Sequence, residues 1–442
     1  MTPSARLQAT LALLHEIDVV PRPADAVLSA WFRERRAIGA KDRGLIVTAL
    51  LAILRHQARL GWWLKTLDRP ANPRNRLLAW LVLGEGRSPD EVRTLWTSAR
   101  DLPALTDRER WLIGKLQGAA IAHPDMPEAV RLEVPAWAAE PLRERFGDTF
   151  AREMAACLKP APLDLRVNPV KTTREGMLAA LQTLGIAAEA TPFAPHGIRV
   201  RARPSLSDLP MLKSGEVDIQ DEGSQLVALL VGARPGERVV DFCAGAGGKT
   251  LAVAADMANR GHVIACDVSE GRLKRAAERF RRAGLHNIET RLLASEIDKW
   301  VKRHKGFYDR VLVDAPCSGT GTWRRNPDAR WRTLGAGLET LVPEQARILA
   351  SAARLVKPGG RLVYATCSLL PAENEAQVEA FLGANPGFRV VPVRAVVPGL
   401  TASAHPDHLA LTPARHDTDG FFAAVMEREG APSPSGPDIE GV

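Results

Sequence analysis

Two cysteines stand where predicted strands run out. In Val311–Gly319 (VLVDAPCSG) a short apolar run, β-branched at Val311 and Val313, leads into Asp314-Ala315-Pro316-Cys317. Proline cannot donate to a strand ladder, so the strand is predicted to stop there, with Asp314 and Cys317 at its carboxyl end. Further on, Arg361–Ser368 (RLVYATCS) repeats the arrangement and ends at Cys367. Ligands of open parallel sheets bind outside the carboxyl ends of the strands, so two thiols are predicted at one site. A lone strand-end cysteine is more often a small buried apolar side chain than a nucleophile. Here one is flanked by Asp314 and Pro316 and the other by Thr366 and Ser368, which favours chemistry. Cys157 and Cys266 lack such a setting and read as structural.

A second stretch, Val239–Thr250 (VVDFCAGAGGKT), is a glycine-rich turn between a predicted strand and helix. Its glycines let backbone approach a ligand, and the helix N-terminus offers unpaired N–H groups. A phosphate-binding loop would need a further glycine where Cys243 stands. A dinucleotide fingerprint matches at Gly245 and Gly247 but has its third glycine misplaced. The remaining option is a nucleoside cofactor such as S-adenosylmethionine. It would be lined by Cys243, Ala244, Gly245, Ala246, Gly247, Gly248 and Lys249, with Asp267 accepting from the ribose hydroxyls at the end of the next strand.

The elements that must position these groups alternate regularly from Gly215 onward. Strands are predicted over Arg238–Phe242, His262–Cys266, Ile288–Leu293 and Gly420–Met426. Helices are predicted over Lys249–Met257, Gly271–Ala283, Glu344–Val356 and Glu373–Leu382, with Lys357-Pro358-Gly359-Gly360 as a break before the Cys367 strand. This order implies an α/β fold with a mostly parallel, doubly wound sheet. Residues 131–215 are rich in proline and read as a small α+β module, with strands Pro162–Val167 and Gly197–Val200 around a helix Thr173–Leu184. Residues 1–130 read as all helical, with pieces at Leu7–Ile17, Ala24–Glu34, Lys41–Lys65, Asn75–Leu83 and Asp107–Ile121. The tail 429–442 reads as disordered.

With 442 residues, 45% hydrophobic and 25% charged, the chain is globular and large enough for two or three domains. No apolar run is long enough for a bilayer and no secretory signal opens the chain, so a cytoplasmic protein is expected. The five cysteines contain no C-x-x-C pair, which argues against a disulfide framework or a zinc site. His405, His408 and His416 lack ligand spacing, so no metal is expected. A net charge of +8 points weakly to a polyanionic partner. Residues 1–130 contribute with 19 Lys and Arg against 14 Asp and Glu.

The ordered set DFCAGAGGKT, ACD, VLVDAPCSGTG, NPD, YATCS and DGFF resembles the RsmB/NOP2/Sun family of RNA cytosine-C5 methyltransferases. RVN at Arg166–Asn168 and DIQDEGSQ at Asp218–Gln225 also match family stretches. KDRGLIVTALLAILR resembles the NusB-like RNA-binding domain that precedes the catalytic part in bacterial members. The resemblance is strong over 160–428 and weaker over 1–130. It implies a Rossmann-like class I methyltransferase domain over 216–428, after a NusB-like domain over 1–130 and a linker module over 131–215.

By that resemblance Cys367 attacks carbon 6 of cytosine, and Cys317 assists release of the enzyme thiol. Asp314 contacts the cofactor and the base edge, and Lys249 helps position these groups or simply caps a charge. The resemblance further implies S-adenosylmethionine as cofactor and RNA, chiefly ribosomal, as partner, with no membrane, no metal and a monomeric chain. Where many members carry an acid after the third strand, this chain has Ala294. Backbone N–H groups, Glu296 or Asp298 are the expected substitutes. The glycine turn departs too, reading Ala244-Gly245-Ala246 where Ala-Ala-Pro is usual. Arg166, Asn168, Arg324 and Arg325 are expected to contact RNA, the last two holding phosphates near a flipped base. The basic residues Arg272, Lys274, Arg275, Arg279, Arg281 and Arg282 line a helix, and most of them read as its solvated face. A non-catalytic assembly factor, a tRNA methyltransferase and a DNA cytosine methyltransferase are the rivals. The two intact thiols argue against the first, and Thr366-Cys367-Ser368 with the NusB-like stretch argues against the last.

Overall fold

The structure, a computed structural model, describes residues 1–99, 102–201, 209–331, 337–403 and 405–430. The expected disordered tail falls, apart from Glu429 and Gly430, outside the described residues. The chain divides into two compact units, Met1–Pro160 with Trp323–Gly335, and Ala161–Thr322 with Ala336–Val442. By packing, the helical unit therefore extends thirty residues beyond the expected boundary at 130 and takes in a segment from much later in the chain.

The first unit is helical throughout. Helices Pro3–Val19, Ala24–Glu34, Ala40–Arg55, Gln57–Thr66, Pro73–Leu83 and Asp107–Leu116 enclose one apolar core that includes Leu13, Leu50, Leu60, Leu78 and Leu112. The single helical piece read over Lys41–Lys65 is broken at His56, where the ring Nδ1 lies 2.9 Å from the Ala52 carbonyl. The apolar pattern runs on across the break, which is why periodicity alone misses it. Helix Pro89–Thr97 was not among the expected pieces. It opens with a capping box in which Ser88 and Glu91 satisfy each other's backbone N–H groups, an arrangement worth about 1 kcal/mol.

Within this unit lies the segment that follows the Cys317 loop. Trp323 is fully buried, with the Arg330 guanidinium 4.8 Å from its ring. Arg330 donates to the carbonyls of Glu133 at 2.9 Å and Cys157 at 2.6 Å. Asp328 accepts the Ala24 N–H at 2.9 Å and so caps the helix Ala24–Glu34.

The second unit opens with an antiparallel sheet of β1 (Leu163–Val167), β2 (Ala188–Ala190), β3 (Gly197–Val200) and β4 (Val217–Ile219), in the order β2-β3-β1-β4. Helix Arg174–Thr183 covers it. The large sheet holds β5 (Arg238–Asp241), β6 (His262–Asp267), β7 (Ile288–Leu292), β8 (Tyr308–Asp314), β9 (Val356–Thr366), β10 (Phe388–Val391), β11 (His408–Leu411) and β12 (Phe421–Arg428). Its order is β10-β12-β9-β8-β5-β6-β7, with β11 paired to β12. Strands β5 to β9 are parallel, and β10, β11 and β12 are antiparallel additions.

Alternate residues of each strand face opposite layers, as a two-residue period requires. Val239, Val263, Leu312 and Val363 enter one core with helices Glu222–Leu230, Gly248–Asp256 and Glu270–Ala283. Val240, Ile264, Val311 and Leu362 enter the other with helices Leu338–Ala353 and Glu375–Ala384. The doubly wound expectation is therefore met. Strands β10 and β11 were not foreseen. Lys357–Gly360 also corrects the reading, since it lies inside β9 rather than before it. The ladder there shifts register between Tyr308 and Arg310, and the irregularity accommodates both the proline and Gly359 at φ 72°.

Candidate active site

The strand order reverses between β5 and β8, where an open α/β sheet forms its ligand crevice. The glycine turn leaves the end of β5, and its shape follows from φ of 56° at Gly245 and 79° at Gly247. A Cβ on Gly247 would lie 2.5 Å from the Phe280 ring, whereas one on Gly245 would meet open space. The turn is braced from behind. Gly245 N–H donates to Asp267 Oδ2 at 2.8 Å, Ala244 N–H donates to the Cys266 carbonyl, and Arg279 donates to the Ala246 carbonyl at 2.5 Å. Arg279 also pairs with Asp218, so it is a brace and not part of a solvated face. Gly248 and Lys249 begin the following helix. Cys243 is half-buried, and burial together with the charge of Asp241 pushes its thiol well up.

Behind the turn, Asp241 ends β5. It was not singled out in sequence. Burial, with the charge of Asp314 adding, pushes its carboxyl up to about 7 against the pull of its Thr250 hydrogen bond. Its Oδ2 accepts from Thr250 Oγ1 at 2.7 Å, while the buried Oδ1 has no partner.

At the end of β8, Asp314 accepts from Lys249 Nζ at 2.7 Å. Burial lowers the Lys249 pKa, but the charge and hydrogen bond of Asp314, with the charge of Cys367, outweigh it and hold the ammonium above its ordinary value. The Lys249 Nζ also sits 5.2 Å from the Phe421 ring centroid. Cys317 Sγ and Cys367 Sγ lie 3.4 Å apart. The Gly321 N–H donates to the Cys367 carbonyl at 2.9 Å, which fastens one thiol loop to the other. Contact with Cys367, burial and the charges of Cys367 and Glu373 push the Cys317 thiol well up.

Other expected site residues fare differently. Ala294 is exposed, and its N–H already donates to Asp298 Oδ2 at 3.0 Å. Asp298 also caps Trp300, and Glu296 pairs with Arg347 at 3.0 Å, so both acids are engaged locally. Arg166 and Asn168, expected to contact RNA, are engaged within the chain. Both are buried, Arg166 donating to Gln220 at 2.8 Å and Asn168 to the carbonyls of Gly215 and Ala283. Arg324 is likewise buried in the helical unit and donates to the Pro160 carbonyl at 3.2 Å. Arg325 is half-buried in the same segment. Arginine reads as surface in sequence, whereas Arg166 meets a side-chain amide oxygen and Arg324 a backbone carbonyl. Among the described residues, no group of three or more His, Cys, Asp or Glu is placed to hold a metal ion, and no helix is long and apolar enough to cross a membrane.

A doubly wound sheet with a glycine turn at its reversal point, an acid at the end of the next strand and an orphaned carboxyl oxygen beneath defines a class I S-adenosylmethionine-dependent methyltransferase. The residues fit that cofactor. Gly245 leaves room for it, and Asp241 and Asp267 offer acceptor oxygens at the ends of β5 and β6. Residues 228–427 match the family described as 16S rRNA methyltransferase RsmB/F, and residues 134–206 match its ferredoxin-like domain. "Probable ribosomal RNA small subunit methyltransferase B" of Synechocystis is 37% identical, over 89% of this chain and 93% of its own length. Ribosomal RNA small subunit methyltransferase B of Serratia proteamaculans is 35% identical, over 89% and 92%. The crystal structure of a methyltransferase homologue from Pyrococcus horikoshii is 30% identical and superposes with a TM-score of 0.59, covering 68% of this chain and 97% of that one. The chain belongs to the RsmB/F methyltransferase family.

Proposed function

We propose that this protein is a cytoplasmic enzyme that methylates carbon 5 of a cytosine in small-subunit ribosomal RNA through a covalent enzyme–base adduct. The observation that carries the reading is the thiol pair, 3.4 Å apart at the ends of adjacent parallel strands, with Lys249 and Asp314 beside it. Carbon 5 of cytosine is a poor nucleophile. When the Cys367 thiolate adds to carbon 6, the carbon 5–carbon 6 double bond opens into an enamine with electron density on carbon 5. S-Adenosylmethionine supplies the electrophilic methyl group that carbon 5 takes. Loss of the carbon 5 proton then re-forms the double bond and expels Cys367.

In this reading Cys317 takes that proton. Bonding of Cys367 to carbon 6 removes the sulfur charge that opposes ionisation of Cys317. Cys317 then loses its own proton to solvent and becomes the base. The Lys249–Asp314 pair supplies a fixed charge array against the negative charge that builds on the ring. Asp267, the turn N–H groups and Asp241 hold the cofactor.

The test uses labelled methyl donor and unmethylated small-subunit RNA with wild type, Cys367→Ala and Cys317→Ala. Transfer by wild type, none by Cys367→Ala, and a protein–RNA adduct retained on denaturing gels by Cys317→Ala are expected. Normal transfer by Cys367→Ala would overturn the nucleophile. Binding without transfer by wild type would favour the assembly-factor reading.

A further inference from the structure

One side chain touches the residue after each thiol. Glu373 follows β9 in the short turn Pro371–Glu373 and is fully buried. Its Oε1 accepts from the Ser318 N–H at 2.8 Å and from Gln345 Nε2 at 3.0 Å. Its Oε2 accepts from Ser318 Oγ at 2.5 Å and from Ser368 Oγ. Every partner is a donor, as a carboxylate anion requires. Gln345 reaches back to the Pro316 carbonyl at 2.9 Å, so the Cys317 loop is held on both sides of its thiol. The Glu373 carbonyl in turn accepts from Tyr364 Oη at 2.7 Å. Charge around the two sulfurs is thus uneven, with the Glu373 anion acting on Cys317 and the Lys249 cation interacting with Cys367.

We propose that Glu373 is a positioning residue for the thiol pair: it sets the Cys317–Cys367 spacing by holding the residue after each cysteine, and it keeps a carboxylate against the Cys317 loop. The proposal rests on the nucleophile assignment above. A Cys317 that stays protonated in the free enzyme does not compete for carbon 6. Once Cys367 has become a thioether, the remaining Glu373 charge makes a Cys317 thiolate a stronger base for the carbon 5 proton.

The experiment is pulse alkylation of the full-length free protein with iodoacetamide, read by mass spectrometry at each cysteine. At pH 8, Glu373→Gln is expected to label at Cys317 at least five times faster than wild type. A Cys317 rate within twofold of wild type overturns the proposal. If Glu373→Gln loses its cooperative melt, Ser318→Ala decides, since it keeps the charge and removes one loop contact. It is expected to change Cys317 labelling at least threefold at the same pH, and an unchanged rate overturns the proposal. These readouts need neither RNA nor cofactor. Failure of wild type to methylate RNA would therefore sink the proposed reaction while the labelling still judges Glu373. In the transfer assay, Glu373→Gln is expected to lower kcat at least tenfold with KM for the methyl donor within twofold. A change in KM alone would mark a merely structural role and overturn the proposal.

Discussion

The cofactor turn and the thiol pair each rest on a buried carboxyl, and the two carboxyls are surrounded differently. Glu373 is surrounded by donors from Ser318, Ser368 and Gln345. Asp241 has one donor, Thr250 Oγ1, and a buried oxygen with no partner. Burying a polar atom unpaired costs about 1–3 kcal/mol, so a fold keeps such an atom where something else repays it. A carboxyl saturated by its own chain is scaffold for the groups around it. One left half-satisfied at the carboxyl end of β5, beside the glycine turn, has an oxygen free for a ligand, and the proposed cofactor site lies there.

The largest expected effect breaks this contrast at Asp241. Asp241→Asn replaces a carboxyl, acceptor-only when ionised, with an amide of the same shape. If Asp241 serves the cofactor, affinity for S-adenosylmethionine falls by about 10–100-fold, the loss of one charge-assisted hydrogen bond. Calorimetric titration of both proteins checks this, and equal affinities would return Asp241 to the scaffold.

Next in size is the pair of glycines in the turn. Gly247→Ala places a methyl 2.5 Å from the Phe280 ring on a backbone at φ 79°, so a loss of about 1–3 kcal/mol of stability is expected. Gly245→Ala carries only the backbone strain, because its Cβ meets no atom within 4 Å. Its methyl projects into the space assigned to the cofactor, so affinity is expected to fall more than stability. Denaturant unfolding and cofactor titration on both variants separate the two. Equal stability losses would show that the turn packs as tightly at Gly245 as at Gly247.

Asp241 also gives the two carboxyls a pH test. Its folded-state pKa of about 7 lies above the roughly 3.9 of an unfolded aspartate. The folded chain therefore holds this proton more tightly. The stability that comes with it is fully present below about pH 4, is lost as pH rises toward 7 and stays lost above. Asn cannot ionise, so the stability of Asp241→Asn relative to wild type is expected to rise across that window, by at most about 1.4 kcal/mol per pH unit. Urea unfolding at a series of pH values measures it, and a flat difference would overturn the raised pKa.

What could be read from the sequence was whatever declares itself locally. The β8 and β9 ends are marked by apolar runs that stop at Asp314 and Cys367, and the turn by its glycines. Glu373 was illegible. It sits in Pro371-Ala372-Glu373-Asn374-Glu375, where acids look like the solvated start of a helix, and nothing in that spacing tells which acid turns inward. Asp241 was hidden for a related reason, because the glycines beside it dominate the motif. Arg324 misled in the opposite direction. Its charge reads as surface, yet it is buried and donates to a carbonyl, whose supply no side-chain pattern records. Proline and glycine in Lys357–Gly360 likewise read as a break, although the ladder absorbs them in an irregular register.

The smallest expected effect probes the one bond Asp241 does have. Thr250→Val keeps shape and removes the Oγ1 donor, 2.7 Å from Oδ2. That hydrogen bond lowers the Asp241 pKa, so its loss raises the carboxyl further above about 7. A hydrogen bond to a carboxyl contributes more while the charge is there. The variant should therefore lose about 1.5–3 kcal/mol at pH 9, where Asp241 is ionised, and less at pH 5, where it is protonated. The corresponding loss at Glu373 is shared among several donors, so removing Ser318 Oγ alone should cost less than removing Thr250 Oγ1 at pH 9. Unfolding of Thr250→Val and Ser318→Ala at both pH values tests this ranking. If Ser318→Ala proves the more damaging at pH 9, donor number is not what separates the scaffold carboxyl from the ligand-facing one.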